Sequence, residues 1–590
     1  MWQALADTAR FNEAAGLPKH AIEEVTEPDG SMRFIGRARK AIFELEWEEV
    51  PVEWVDQDWF RHLRVFNKGP IATICATLRL ESDDQGGSIG HYLLEASPAN
   101  LLGRFILATG FFPAAKKTFT KPAYSAHDWA AGERETVFEP PPPSLPRGAR
   151  DRAATLVERI EATQNGHGLA RRLASWLMAA QEFDLMRIRP LVLAERWGED
   201  DRHVIECCLQ AVREGMLELR WDLLCPRCRG AKFTATSLDR IPQGAHCTSC
   251  NIEYDRDFAE NVELTFHPAP TVREVIDGEF CLFGPMTTPH VKVQVTVEGG
   301  ESREIEARIR PGDYRLRTLE IGGEQMLSYG GNNLPRVTAD GGNVTVVDGD
   351  EPGKISFVNH EARRRTFIVE SREWVNDALI AHHVTTMQSF RDLFGEDVLR
   401  PGDEVGISQI ALLFTDLRNS TEFYERVGDA PAYHLVREHF ALLAGICRRH
   451  NGAVVKTIGD AVMGAFADPA DAIRAAIDIQ AEIKDFNAQS GAEPIVVKAG
   501  VHAGPCISVT LNERLDYFGG TVNLASRLQG QSQGDDIVVS RQLAADPAVA
   551  AVLADYELES NTSEIRGFNE VVTFYRLIPE ALNANRVKVS

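Results

Sequence analysis

Apolar and polar positions alternate with period two in several stretches, and that period predicts strands with one buried face. Phe43, Leu45 and Trp47 alternate with Glu44, Glu46 and Glu48. Ala72, Ile74, Ala76, Leu78 and Leu80 repeat the pattern after a Gly69-Pro70 turn, and residues 91–96 predict a third strand. A helix is expected from Pro98 to Gly110, with Ser97 as its cap and Pro98 at its first position. The spacing turns helical over 150–222, where Asp200 can cap a helix carrying Val204, Cys207 or Cys208, and Val212 on one face. Residues 260–370 are strand-rich, with turns at Gly299-Gly300, Gly322-Gly323, Gly330-Gly331 and Gly341-Gly342, and predict an antiparallel sandwich. Over 372–395, Leu379, Met387, Phe390 and Phe394 form one stripe, which predicts a single amphipathic helix leading into the last domain. Such a helix offers a dimer seam or an ordinary packed face.

From about Gly406 the pattern predicts a strand over 407–414 ending at Thr415-Asp416, then helices with Val436, Phe440, Leu443 and Cys447 on one face. A hairpin follows, from 453–458 through a Gly459-Asp460 turn to 462–466. A helix over 471–487, strands over 495–502 and 507–511, and a helix starting near Gly520 complete the domain. The order β-α-α-β-β-α-β resembles a ferredoxin-like palm with additions.

Size and charge narrow the classes. At 590 residues the chain is too long for one core, so several domains are expected. The 44% apolar and 25% charged fractions are those of a soluble globular protein. A net charge of −23 argues against a general nucleic-acid binder. No apolar run reaches 18 residues, the N-terminus lacks the pattern of a secretory signal, and ten cysteines do not suggest a disulfide scaffold. A cytoplasmic protein is expected. The run Pro140 to Pro143, with Pro146 and Gly148, reads as a stiff linker.

Cys225-x₂-Cys228 and Cys247-x₂-Cys250 are separated by eighteen residues, a spacing that suits two knuckles meeting at one tetrahedral Zn²⁺. Four thiolates leave no open position, so the expected role is structural. Cys75, Cys207, Cys208, Cys281, Cys447 and Cys506 lie in apolar contexts and are expected in cores.

The candidate chemistry lies between Asp416 and Arg527. Asp416 ends a strand and Asp460 sits at the tip of the hairpin expected to pair with it, so both carboxylates can converge at one sheet edge. Two such oxygens, with triphosphate oxygens, suit Mg²⁺ or Mn²⁺. The following residues, Leu417 through Ser420 and Thr421, open a helix whose free N–H groups can cradle phosphate. Asn523 and Arg527 stand one helical turn apart and share a face.

LLFTDLRNSTEF, VVKTIGDAVMGAF and LDYFGGTVNLASRLQ resemble the three signature blocks of class III nucleotidyl cyclases over about 405–580. The resemblance implies that Asp416 and Asp460 hold two metals, that Asn523 orients ribose, and that Arg527 stabilises charge on the reacting phosphate. Lys456 and Asp516 occupy the places where adenylyl enzymes of the family carry Lys and Asp. Lys can donate to adenine N1 and Asp can accept from the N6 amino group, whereas guanine presents the opposite pattern. ATP is the implied substrate, with 3′,5′-cyclic AMP and pyrophosphate as products. Arg566, in EIRGFNEVVTFY, lies near the family's late triphosphate-binding basic residue. The family divides its site between two subunits, so a homodimer is implied.

ELEWEEVPVEW and the strands after it resemble START-like domains, which wrap a curved sheet around a long helix and often hold an apolar ligand. The segment RPLVLAERWGEDDRHVIECCLQAVREGMLELRW resembles a winged helix, although its second helix opens Glu199-Asp200-Asp201, which argues against phosphate contacts. The expected fold class is multidomain α+β. Its parts are a START-like domain at 1–138, a linker at 139–149, a winged-helix-like segment at 150–222 and a zinc ribbon at 223–258. A β-rich domain at 259–370, a signalling helix at 371–404 and the catalytic palm at 405–580 follow. The chain as a whole resembles bacterial adenylyl cyclases with an N-terminal regulatory region. Two other readings remain: a non-catalytic nucleotide-binding regulatory protein, and a guanylyl cyclase, against which Lys456 and Asp516 argue.

Overall fold

The structure is a computed structural model. It describes residues 1–17, 19–26, 32–40, 43–83, 87–139, 143–247, 250, 252–258, 260–275, 280–281, 284–320, 322–349, 351–372, 377–394, 405–490, 493–511, 514–566 and 571–582. The chain is mixed α/β and multidomain. No helix among the described residues is long and apolar enough to cross a membrane.

The C-terminal part is built on an eight-stranded sheet. Its order is Gly452–Ile458, Ala461–Phe466, Val405–Leu417, Val497–Leu511, Ile537–Ser540, Val571–Leu582 and Tyr556–Glu564, with Arg514–Phe518 paired to Val497–Leu511. Both faces of the central strand are covered, which explains its unbroken apolar run. Ala411, Leu413 and Leu417 face the helices Asp429–Arg449 and Pro469–Ser490, against Leu443, Ile446, Ile473 and Ile479. Ile410, Leu412 and Phe414 fill a smaller core with Val455, Met463, Tyr517 and Ala525. Period two places Asp416 on that second face. The stretches 495–502 and 507–511, expected as two strands, belong to one strand, Val497–Leu511.

The strands of 21–98 and four strands of the β-rich region (Val291–Val297, Gly312–Thr318, Glu324–Tyr329 and Arg365–Ser371), expected in separate domains, lie in one eleven-stranded sheet. The join is Glu53–Val55, whose Val55 pairs with Val293. All three residues of that short strand are buried, so its backbone requires a partner on each side. Trp54 Nε1 donates to the Val291 carbonyl at 3.1 Å and Gln294 Nε2 to that of Val52 at 2.7 Å. A four-stranded sheet (Ser302–Glu306, Lys354–Asn359, Arg336–Asp340, Asn343–Val347) packs on this sheet through Val293, Val295, Leu316, Ile355, Phe357 and Phe367.

Two local expectations are corrected. Ser97 and Pro98 belong to the strand Ser88–Pro98, and Ser97 Oγ shares a hydrogen bond with Thr73 Oγ1 at 2.5 Å instead of capping a helix. Asn100 caps that helix, accepting from Gly103 N at 2.9 Å, and helical structure runs from Leu101 to Ala130. Over 372–395 there is no single helix among the described residues, and 373–376 and 395 lie outside them. Ala381–Thr385 and Gln388–Leu393 are separate short helices. Thr385 and Thr386 interrupt them, their hydroxyls donating back to the His382 and His383 carbonyls. The apolar stripe is consumed locally: Leu379, Val384 and Phe390 join one core with the helices of 149–214 and the three-stranded sheet of 217–224, 231–235 and 262–268.

Candidate active site

Asp416 is the penultimate residue of the central strand, opposite Lys498. Asp460 sits in the two-residue turn closed by Ile458 and Ala461, made possible by Gly459 at φ +66°. Thr415 pairs with Val462, so the turn carries Asp460 to Asp416. Burial raises the pKa of Asp416, the charge of Asp460 and a hydrogen-bonding contact with it raise it further, and Lys498 opposes them. Among the described residues, Asp460 Oδ2 is buried without a hydrogen-bond partner. A buried orphan carboxylate oxygen is costly, and a hard divalent cation between the two carboxylates would satisfy it. The residues therefore fit Mg²⁺ or Mn²⁺.

His439 and Tyr424 also lie near this pair. His439 is fully buried with neither ring nitrogen bonded among the described residues, and burial pushes it down to about 4, with Asp460 opposing, so it is neutral at pH 7. Burial, then Asp460 and Asp416, raise the Tyr424 phenol. Neither residue, nor Lys498, carried a motif; only the strand register and helix packing bring them together. Downstream of Asp416, Asn419 at φ +55° leads into the helix Ser420–Val427. Ser420 and Thr421 lie in its first turn, and Leu417 is buried, so only its backbone is available.

Lys456 lies just after a bulge in Gly452–Ile458, and Asp516 is the middle residue of Arg514–Phe518. These strands are not neighbours in the sheet, yet Lys456 Nζ donates to Asp516 Oδ2 at 2.6 Å. Asp516 is 6% exposed and its Oδ1 accepts from Tyr517 N at 2.8 Å. A donor and an acceptor thus stand side by side at the mouth of the small core.

Asn523 and Arg527 are exposed on the helix Gly520–Gln529. That helix crosses the sheet at Gly500, where a Cβ would lie 2.2 Å from Gln529 N. Neither side chain makes a hydrogen bond among the described residues. Arg566 is exposed at a turn after Tyr556–Glu564, and residues 567–570 beyond it lie outside the described residues. The structure brings together Asp416 with Asp460 and Lys456 with Asp516; it does not join Arg566 to either pair among the described residues.

A second candidate site is the cysteine cluster. The Cys225, Cys228, Cys247 and Cys250 sulfurs are buried and lie within 4.8 Å of one another, with Cys228 and Cys247 at 3.7 Å. A tetrahedral zinc with Zn–S of about 2.3 Å requires S···S separations of about 3.8 Å, so the set fits Zn²⁺. Arg317 Nη2 donates to Cys250 Sγ at 3.8 Å, which binds the cluster to the large sheet. Near the N-terminus, an apolar cavity of about 690 Å³ lies between the Phe112–Ala130 helix and the strands Ile71–Ser82 and Ser88–Pro98. Phe11, Tyr92, Leu94, Phe112, Phe119 and Tyr124 line it, with Lys116 and His127 as polar groups at its wall.

Residues 404–577 match the family model described as the adenylate and guanylate cyclase catalytic domain. Residues 153–280 match a family of unknown function, DUF5939. An adenylate cyclase of Mycosarcoma maydis is 31% identical over 157 residues, 23% of this chain and 6% of that protein. Adenylate cyclase 1 of Rhizobium meliloti (strain 1021) is 30% identical over 139 residues, 21% of each chain. This chain therefore spans only a small part of these relatives' lengths. The solved adenylyl cyclase CyaB from P. aeruginosa is 23% identical, covering 30% of this chain and 95% of that one, with a TM-score of 0.27.

Proposed function

We propose that this chain, which carries a class III adenylate/guanylate cyclase catalytic domain at its C-terminal end, converts ATP to 3′,5′-cyclic AMP and pyrophosphate as a homodimer regulated by its first 400 or so residues. The Lys456–Asp516 pair carries the choice of adenine. Its ammonium can donate to N1 and its carboxylate can accept from N6, both in a setting where a mismatched partner stays unsatisfied. Asp416 and Asp460 hold Mg²⁺ or Mn²⁺ in this reading, two ions to a site. When bound, divalent metal supplies activation of the ribose 3′-hydroxyl and charge neutralisation on the phosphates. Leu417, Ser420 and Thr421 offer backbone groups to the triphosphate, and Arg566 is a further candidate for it. Asn523 orients the ribose, and Arg527 is the cation at the reacting phosphate.

The division of labour across a dimer agrees with two exposed groups, Asn523 and Arg527, that lack partners within the described chain. Exposed Ile458 and Phe518, at 56% and 62%, flank the base-reading pair on its two strands and suit burial against a second copy. Purified chain given ATP or GTP with Mg²⁺ or Mn²⁺ is expected to make cyclic AMP preferentially. Nucleotide binding without a cyclic product, in the full chain and in residues 400–590 alone, overturns the enzyme reading in favour of a binding protein.

The cysteine cluster is proposed to be a structural zinc ribbon between the winged-helix-like helices and the sheet. Cys228→Ser is expected to bring zinc content well below one ion per chain and to lower the melting midpoint by several degrees, because ligand binding there is folding energy. Unchanged stability after zinc loss would remove the structural role.

The apolar cavity is proposed to hold a small apolar ligand in a START-like domain. Native mass spectrometry of the purified chain is expected to show a bound apolar molecule. Ala123→Trp, directed into the cavity, should exclude it. A chain that neither carries such a molecule nor binds an added apolar probe counts against a ligand site.

A further inference from the structure

The strands that carry Lys456 and Asp516 share no backbone ladder. Besides the ion pair and the small core shared by Val455 and Tyr517, one short helix N-terminal to the cyclase-matching residues spans them. Gln388, at the start of Gln388–Leu393, accepts from Val454 N through Oε1 at 2.8 Å. Val454 stands at the bulge where the register shifts before Lys456, so this bond holds the strand where the ladder is interrupted. One turn later Arg391 reaches the other strand. Its Nη1 donates to the Leu515 carbonyl at 3.0 Å and its Nη2 to the Tyr517 hydroxyl at 3.4 Å. The guanidinium also lies 5.6 Å over the Tyr517 ring. Leu515 and Tyr517 are the two neighbours of Asp516 in sequence, and both are buried.

Further contacts hold the helix in place. Arg391 Nε donates to the Thr385 carbonyl at 2.8 Å. Gln388 Nε2 donates to Asp392 Oδ1 at 2.7 Å, and Arg448 to Asp392 Oδ2 at 2.7 Å. Phe390 meets the fully buried Trp221 edge-on at 6.0 Å, within the core of the 149–280 region. A rigid helix with one polar arm on each strand fixes the separation of the two groups that must meet one purine edge together.

We infer that Gln388 and Arg391 are positioning residues for base selectivity: they hold the strand of Lys456 and the strand of Asp516 at the separation that adenine requires. The inference rests on the reading of Lys456 and Asp516 as base-contacting groups. It adds a determinant of that selectivity outside the cyclase domain, on an element packed into the neighbouring core. Selectivity responds steeply to such spacing, since a displacement of about 1 Å can cost on the order of 10²-fold.

The experiment compares full-length Arg391→Ala, Arg391→Lys and Gln388→Ala with the parent chain, measuring kcat and KM for ATP and GTP separately. Arg391→Ala is expected to lower the ATP-over-GTP ratio of kcat/KM by about tenfold, mainly through KM for ATP. Gln388→Ala should move the ratio in the same direction, and Arg391→Lys, which keeps the charge but not the fork, should lie between. A merely structural loss would lower both nucleotides together and leave the ratio alone. If Arg391→Ala does not fold, Gln388→Ala decides.

Lys456→Glu/Asp516→Cys is measured in parallel. If that double variant changes the ratio while the helix variants leave it within twofold of the parent, the positioning role is overturned alone. If the double variant also leaves the ratio unchanged, the base-reading assignment fails and the positioning role falls with it.

Discussion

Asp416→Asn is expected to lower cyclase activity by at least about 10³-fold while the chain stays folded, since it removes a proposed metal ligand and leaves the strand intact. The same change is expected to raise the melting temperature of metal-free protein at neutral pH. Burial and the neighbouring Asp460 raise the Asp416 pKa above its ordinary value. The folded state therefore holds that proton more tightly than the unfolded state. Its contribution to stability is present below the unfolded pKa and is lost as pH rises through the folded one. At neutral pH the charged pair is a cost, which the amide removes and added Mg²⁺ or Mn²⁺ offsets in the parent only. The melting difference should accordingly shrink as pH falls into the carboxylate range. A variant that keeps its activity, or melts lower at neutral pH in the absence of metal, would sink the assignment of this edge as a cation site.

The proposed dimer adds a sharper version of that test. Arg527→Ala should be nearly inactive for a different reason, loss of the cation at the reacting phosphate, at a cost of about 10²–10³-fold. If Asp416 and Arg527 meet only across two protomers, a heterodimer of the two variants has one site with both residues intact. Equal mixing then restores about a quarter of parental activity, because half the dimers are mixed and each has one working site of two. No recovery after subunit exchange, with dimers still formed, places both residues in one protomer's site.

The catalytic domain was legible because its signals are local. A strand ending in Asp, a Gly-Asp hairpin turn and a helix with Asn and Arg one turn apart are each written within about a dozen residues. Long-range pairing was not legible. The strand Glu53–Val55 is three residues long, and nothing in it points to a partner more than two hundred residues away at Val293. Lys498 faces Asp416 only by virtue of register, and His439 approaches Asp460 only because its helix packs over the hairpin. The stripe Leu379, Met387, Phe390 and Phe394 satisfied a helical period over a stretch that backbone-seeking threonine hydroxyls divide in two. Periodicity reports which side chains are buried. It does not report whether one helix or two delivers them.

Exchange of the proposed base-reading pair is expected to reverse substrate preference. In Lys456→Glu/Asp516→Cys, a carboxylate replaces the donor and a thiol replaces the acceptor. Guanine offers N1–H to the first and O6 to the second, while adenine meets both with the wrong polarity. The ratio of kcat/KM for GTP over ATP should rise by about 10²-fold or more, since the mismatched groups are partly buried and left unpaired. Dependence on Mg²⁺ or Mn²⁺ should not change, because Asp416 and Asp460 are untouched. The geometry also orders the single variants. Lys456 Nζ and Asp516 Oδ2 are 2.6 Å apart, and Asp516 is 6% exposed. Lys456→Glu alone sets two carboxylates against each other in that space, so it should melt below the double variant. Asp516→Cys alone frees the lysine, which is partly exposed and can reach water, so its stability cost should be smaller. A double variant that keeps its ATP preference while still making cyclic AMP would show that the purine edge is read elsewhere. One that loses both activities equally, with its melting point unchanged, would show that the pair serves the reaction without reading the base.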